Sequence, residues 1–182
     1  MSHADPYLVP QTSFSNRAAR ALWGVVYWLL FRPSPRPLHA WRAMLLRCFG
    51  ARLGSNCHVY RRASIWAPWN LQCGDVVAIA DDADIYNAWP VTLDSYATIS
   101  QHAWLCTASH DVDDPRFPMT GASIHIGKRA WVCGRATVLP GITLHEGAVL
   151  GTGAIATKDL AAWSVYAGIP ARLLRERKQL HE

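Results

Sequence analysis

From Leu53 onward an aliphatic residue returns at every sixth position. Leu53, Val59 and Ile65 open the series; after a slip of two residues come Cys73, Ile79 and Ile85, and after a second slip Leu93, Ile99 and Leu105. A longer break follows, and the count resumes at Ile126 and runs unbroken through Val132, Val138, Leu144, Leu150 and Ala156. Four residues after most of these stands a small one: Cys57, Ala63, Ala83, Ala97, Ala103, Ser109, Ala130, Ala136, Ala148 and Ala154. Gly54, Gly74, Gly127 and Gly151 come directly after the aliphatic. Ordinary amphipathic strands alternate in twos and need turn clusters between them. One interior aliphatic and one small corner residue per six is instead what a stacked coil with flat sides demands, and it predicts a mainly β chain folded as a parallel β-helix of hexapeptide repeats. Three faces per coil make fifteen hexapeptides into five coils, a prism roughly 24 Å tall at the usual strand spacing.

The region before the repeats follows another period. Residues 1–16 read as an irregular arm. Residues 17–31 read as a helix capped by Asn16, with Leu22, Val25, Val26, Leu29 and Leu30 at helical spacing. "RPSPRP", 32–37, ends it, because prolines remove donors and favour extended backbone. A second short helix over 38–49 would place Trp41, Leu45, Cys48 and Phe49 on one stripe. The chain thus divides into an arm and helical segment at 1–49, a β-helix at 50–168 with an inserted loop at 106–125, and a tail with a short helix at 169–182.

Composition narrows the chemistry. The 182 residues are 51% hydrophobic and 17% charged, which excludes a disordered chain. The net charge of +5 owes much to Arg172, Arg175, Arg177 and Lys178, opposed at that end only by Glu176 and Glu182. No nucleic-acid motif accompanies the basic tail, so nucleic acid is not an expected partner, and a phosphate-bearing small molecule suits it equally. Five cysteines with no CxxC pair point to reduced thiols. Residues 1–10 lack the apolar core of a signal peptide, and "ALWGVVYWLLF", 21–31, is too short for a bilayer that needs about 20 residues. A cytoplasmic protein is expected. Arg17, Arg20, Arg32 and Arg36 flank Trp23, Tyr27 and Trp28, so residues 17–36 either rest peripherally on the inner face of the membrane or pack against the prism or a neighbouring subunit.

"IGKRAWVCGRATVLPGITLHEGAVLGTGAIATKDLAAWSVYAGIPARLLRE", 126–176, resembles the C-terminal signature of hexapeptide-repeat acetyltransferases, with "LPG", "TKD" and "AGIPAR" in the family's order. The likeness covers essentially 50–176 and is strongest to the galactoside, maltose and nodulation-factor acetyltransferases. The Trp/Arg-rich helix and the "SHD" loop resemble above all the colanic-acid biosynthesis acetyltransferases. The resemblance implies a left-handed β-helix, a homotrimer with active sites between neighbouring prisms, and acetyl-CoA-dependent O-acetylation of a saccharide hydroxyl, in exopolysaccharide or surface-polysaccharide synthesis.

It also implies site residues. His110, in the break between Leu105 and Ile126, matches the family's general base, a task that suits a neutral imidazole. Asp111, Asp113 and Asp114 are candidates to orient it or simply solvated loop acids, and Asp111 is carried as an acceptor-site candidate. Asn87 matches an acceptor-binding asparagine, the alternative being a structural corner residue. Trp131, Gly134 and Thr152 match the cofactor groove; Thr157, Lys158 and Arg175 match its nucleotide end, where cations suit phosphates. Glycine and threonine stand at 134 and 152 where the family often has serine and alanine. No metal is expected. Two other uses of this architecture are a non-catalytic assembly scaffold and a γ-class carbonic anhydrase. The second needs three histidines around a metal; His102 and His110 are available, but the H-x₄-H pair is absent.

Overall fold

Fifteen short parallel strands lie on three faces of a prism in the computed structural model, which describes residues 12–179. Residues 1–11, including His3, and residues 180–182, including His181 and Glu182, lie outside the described residues. Face 1 stacks Arg52–Leu53, Leu71–Cys73, Val91–Leu93, Ile124–Ile126 and Thr143–Leu144. Face 2 stacks His58–Val59, Ala78–Ile79, Thr98–Ile99, Trp131–Val132 and Val149–Leu150. Face 3 stacks Ser64–Ile65, Asp84–Tyr86, Trp104–Cys106, Thr137–Val138 and Ile155–Ala156. The ladder register pairs each sixth-position residue with its counterpart one coil on, as in Val59, Ile79, Ile99, Val132 and Leu150. All fifteen point inward; all but half-buried Leu53 are buried. The glycines after the aliphatics are required by close approach: a Cβ on Gly127 would stand 2.8 Å from the Glu146 nitrogen of the next coil.

Five coils are complete and a sixth begins, with Leu160 bridging to Leu144 and Ser164–Ala167 pairing with Val149–Leu150. The tail corrects an expectation. In place of a short helix, Arg172–Glu176 forms an antiparallel strand beside Ser164–Ala167. The last coil offers an unpaired edge, and pairing with it outweighs the helix propensity of Leu, Arg and Glu.

The first coil has the opposite problem, since no coil lies beneath it to use its carbonyls. Two helices solve it: α1 (Phe14–Val26), continued as a π-helical turn over Tyr27–Phe31, and α2 (His39–Cys48). Trp23 Nε1 donates to the Ile65 carbonyl at 2.8 Å, Arg42 Nε to the Val59 carbonyl at 2.6 Å, and Arg47 to the Leu53 carbonyl at 3.0 Å. One residue on each face is thereby capped. Arg42 is wholly buried; its other donors go to Ser34 Oγ and the Pro35 and Arg36 carbonyls, pinning the proline-rich turn.

The helices depart from the sequence expectation in detail. The cap of α1 is Ser13, whose Oγ accepts from the Asn16 N–H at 3.2 Å, while Asn16 accepts from Arg20. Its buried side carries Trp23 and Phe31, with Tyr27 packed against them. Leu22, Val25, Leu29 and Leu30 face outward. In α2 the buried positions are Arg42, Ala43, Leu45 and Leu46, and Trp41 and Cys48 are exposed.

Every interruption of the six-residue count falls at the corner between face 3 and face 1, where inserted residues stack. Asn87 is fully buried there; its Oδ1 accepts from the Ala67 N–H at 2.9 Å and its Nδ2 donates to the Ala67 carbonyl at 2.7 Å. One coil on, Thr107 Oγ donates to the Tyr86 carbonyl and accepts from the Trp89 N–H. The two short insertions are steps of a polar ladder, and the long break grows from its top.

Candidate active site

The break is a hairpin, Ala108–His110 against Met119–Gly121. The Ala122 N–H donates to the Thr107 carbonyl at its base. Gly121 lies so close to that carbonyl and to the Trp89 ring that a Cβ has no room. At the tip, Asp111 Oδ1 accepts from the Asp113 N–H, and Asp114 is held by a two-pronged contact from Arg116 that lowers its carboxyl to about 2. His110 is exposed, with its ring stacked on Phe117 at 4.4 Å between centroids and 5° between planes. Its Nδ1 lies 2.9 Å from the Phe117 carbonyl oxygen. A carbonyl only accepts, so Nδ1 carries the hydrogen and Nε2 of the neutral ring presents a lone pair. The group that orients the imidazole is this backbone carbonyl rather than a loop carboxylate.

A groove of about 380 Å³ runs along face 2, lined by Trp131, Cys133, Val149, Gly151, Thr152, Val165, Arg175 and Arg177. Its length follows from register: Trp131, Val149, Val165 and Arg175 sit on successive strands, three spacings of roughly 4.8 Å. Ser100 Oγ accepts from Trp131 Nε1 at 2.8 Å and fixes the indole. Burial pushes the Cys133 thiol up, so it is a neutral wall of the groove. The Arg177 side chain is committed to the Arg129 and Gly147 carbonyls, whereas among the described residues the Arg175 side chain makes a single, local hydrogen bond, to the Glu176 carbonyl.

Three of the expected cofactor residues, Trp131, Thr152 and Arg175, therefore share one groove. Gly134 follows Cys133 at the corner of the coil that carries Trp131, one coil below Thr152, and its carbonyl accepts from the Gly153 N–H. Thr157 and Lys158 are exposed on the corner between faces 3 and 1, the edge that bears the hairpin. In a three-sided prism that edge is opposite face 2. His110, Thr157 and Lys158 thus stand on one side of a single chain, and the groove on the other. Asn87 has its amide in the corner ladder and exposes no surface.

Phe117, Thr107, Trp89, Gly121, Ser100 and Arg177 were not foreseen. The signal for Gly121 was a glycine inside the break; the others act through backbone atoms or across coils, which no local pattern encodes. Of the remaining histidines, His125 meets Asp94 at 2.9 Å and His39 meets the Val59 carbonyl at 2.9 Å. Among the described residues no three His, Cys, Asp or Glu side chains converge as metal ligands.

No protein-family model matches the chain. It is 38% identical over 178 residues, 97% of this chain and 98% of the other, to the protein assigned as the colanic acid biosynthesis acetyltransferase WcaF of Escherichia coli K12. Its fold is similar to that of a galactoside acetyltransferase in complex with coenzyme A, with a TM-score of 0.84, 23% identity and coverage of 93% and 86%. It is also similar to a hexapeptide-repeat acetyltransferase of Vibrio cholerae complexed with acetyl coenzyme A, with a TM-score of 0.81, 23% identity and coverage of 93% of each chain. Together with the six-residue register and the histidine hairpin, these relationships show that the chain belongs to the hexapeptide-repeat acetyltransferases, in the family of WcaF.

Proposed function

We propose that the protein is an acetyl-CoA-dependent O-acetyltransferase acting on a saccharide hydroxyl in surface-polysaccharide biosynthesis, with His110 as general base. The observation that carries this is the Nδ1 contact with the Phe117 carbonyl, which leaves Nε2 as the acceptor. The hydroxyl oxygen attacks the thioester carbonyl carbon as its proton passes to Nε2. The tetrahedral intermediate then collapses with cleavage of the C–S bond, and the imidazolium returns the proton to the departing sulfur. Its Nδ1–H stays on the Phe117 carbonyl throughout, so the ring need not reorient between the two transfers. Trp131 and Thr152 flank the pantetheine arm, and Arg175 meets a phosphate, with Thr157 and Lys158 at the nucleotide end.

Because hairpin and groove lie on opposite sides of one prism, the reading includes a homotrimer in which one copy lends His110, Thr157 and Lys158 to its neighbour's groove. Calorimetric titration with acetyl-CoA tests the cofactor half. One site per protomer is expected, weakened by Arg175→Ala and retained in His110→Ala; no binding at millimolar acetyl-CoA would favour a scaffold.

The enzyme is placed in the cytoplasm, where five free thiols persist, with peripheral contact to anionic lipid through residues 17–36. Leu22, Val25 and Leu29 are 59%, 54% and 68% exposed along one side of α1 and its π-helical turn. Residues 6–74 hold nine arginines, of which only Arg42 is buried, and no carboxylate, which complements an anionic surface. No helix among the described residues is long and apolar enough to cross a membrane. Flotation with anionic but not zwitterionic vesicles is expected, and failure to float with either would remove the membrane contact.

A further inference from the structure

Between α1 and the first two coils of face 3 lies a second and larger cavity, about 560 Å³. The helix contributes Arg20, Trp23, Gly24, Tyr27, Trp28 and Arg32; the prism contributes Arg62, Ser64, Ile65, Trp66, Asp82 and Asp84. We infer that this cleft is a subsite for a saccharide carrying an anionic group, holding sugar residues of the acceptor beyond the one that is acetylated. The inference rests on the acetyltransferase reading above.

Three features make the cleft fit such a ligand. Trp28 and Trp66 line the cleft with aromatic surface, each with one face under an arginine, and Asp82 and Asp84 supply acceptors for hydroxyls, the mixture that a sugar's C–H face and O–H rim require. Arg62 is paired with Asp82, but Arg20 and Arg32 have no carboxylate partner among the described residues: their guanidinium groups lie over Trp66 and Trp28 at 4.1 Å and 4.4 Å from the ring centroids. Stacked in this way, the forks are pre-oriented for a carboxylate or phosphate. Gly24 faces open space, with nothing within 4 Å of a Cβ built there; the helix tolerates its poorest ordinary former at the point where a side chain would fill the cleft.

The cleft also leads toward the reacting end. Trp66 packs edge-on against Tyr86 at 5.3 Å, and Tyr86 pairs in register with Cys106, two residues before the hairpin begins. Trp66, at the end of the cleft nearest that edge, thus lies two strand spacings of roughly 4.8 Å from the strand that leads into the His110 hairpin, a distance that an oligosaccharide bridges.

The test measures binding by tryptophan fluorescence and acetyl transfer from acetyl-CoA, using three probes: cellobiose, its uronic-acid counterpart cellobiouronic acid, and glucose 1-phosphate. Gly24→Leu should fill the cleft and weaken binding of the charged probes by about tenfold or more, with affinity for acetyl-CoA unchanged. Gly24→Ala, which is too small to block the cleft, should bind like the parent protein and serves as the control for folding. Tighter binding of the uronate than the phosphate identifies a carboxylate as the anion, and the reverse identifies a phosphate. Equal binding of cellobiose and both charged probes would overturn the anionic assignment. Unchanged binding in Gly24→Leu would overturn the subsite. The two readings fail separately: probes that bind through the cleft without ever being acetylated count against the acetyltransferase reading alone. Acetylation with an acceptor KM indifferent to Gly24→Leu counts against the cleft alone.

Discussion

The groove on face 2 and the hairpin at the opposite edge are built by different means. The groove is made of residues that keep the six-residue count, so Trp131, Val149 and Val165 arrive in line through the ladder that also holds the core. The hairpin exists only where the count fails, and nothing in the ladder positions His110. Its placement rests on a chain of single contacts: the corner ladder of Asn87 and Thr107, the tight seat of Gly121 against Trp89, and the Phe117 carbonyl. In the proposed mechanism the regular repeat supplies a surface for an extended cofactor and the exception supplies the reactive group.

Perturbing each region separately should separate binding from chemistry. His110→Ala carries the largest expected effect, a fall in kcat of about 10²–10⁴-fold with acetyl-CoA affinity retained. Gly121→Ala adds one carbon where Thr107 and Trp89 leave no space, and the displaced hairpin should lose roughly 10–100-fold in kcat, since misplacing a catalytic group by about an ångström costs that order. Steady-state kinetics beside calorimetry checks both; a loss of cofactor affinity in either would show that hairpin and groove are not independent. Arg175→Ala should act on the other side, weakening acetyl-CoA binding about tenfold through a lost charge-assisted hydrogen bond and leaving kcat at saturation nearly unchanged.

The smallest effect concerns the hairpin tip. Arg116 holds the Asp114 carboxyl down to about 2, so whatever that pair contributes is complete above the ordinary carboxylate pKa and is lost only as pH falls through about 2. Arg116 is solvent-exposed and Asp114 half-buried at the hairpin tip, and pairs with an exposed member are weak. Asp114→Asn should therefore change kcat by less than about threefold and leave the pH–rate profile between pH 5 and 9 where it was, within the range expected for such pairs. A shifted acidic limb would mean that the tip carboxylates act on His110 after all.

What was legible in the sequence follows the same division. The register from Leu53 to Ala156 could be read because each coil repeats the same steric demand, and the pairing of Val59 with Ile79 or Val138 with Ala156 is that register made physical. The slips could be counted but not explained, since their cause is a hydrogen bond between Asn87 and Ala67 twenty residues apart. Capping of the first coil was hidden for a related reason. Trp23, Arg42 and Arg47 donate to backbone carbonyls, which leave no partner residue in the sequence, and a buried arginine looks there like a surface one. The two stripes of α1 are both apolar, and spacing alone could not say that the aromatic one faces the prism. His110 was proposed as the base by resemblance, while the carbonyl that its ring meets belongs to the backbone of Phe117 and has no signature.

The central claim is that base and groove come from different copies. It is tested most directly by co-expressing two variants, each inactive alone: His110→Ala, which keeps a working groove, and Thr152→Trp, which keeps the histidine but blocks its own groove. The co-expressed population should recover about a quarter of the parent activity per protomer, and trimers that contain both chains about a third, the statistical share of interfaces that join an intact groove to an intact histidine in a closed ring. A mixture as inactive as either variant alone, from oligomers shown to contain both chains, would place base and groove within one copy and contradict the account.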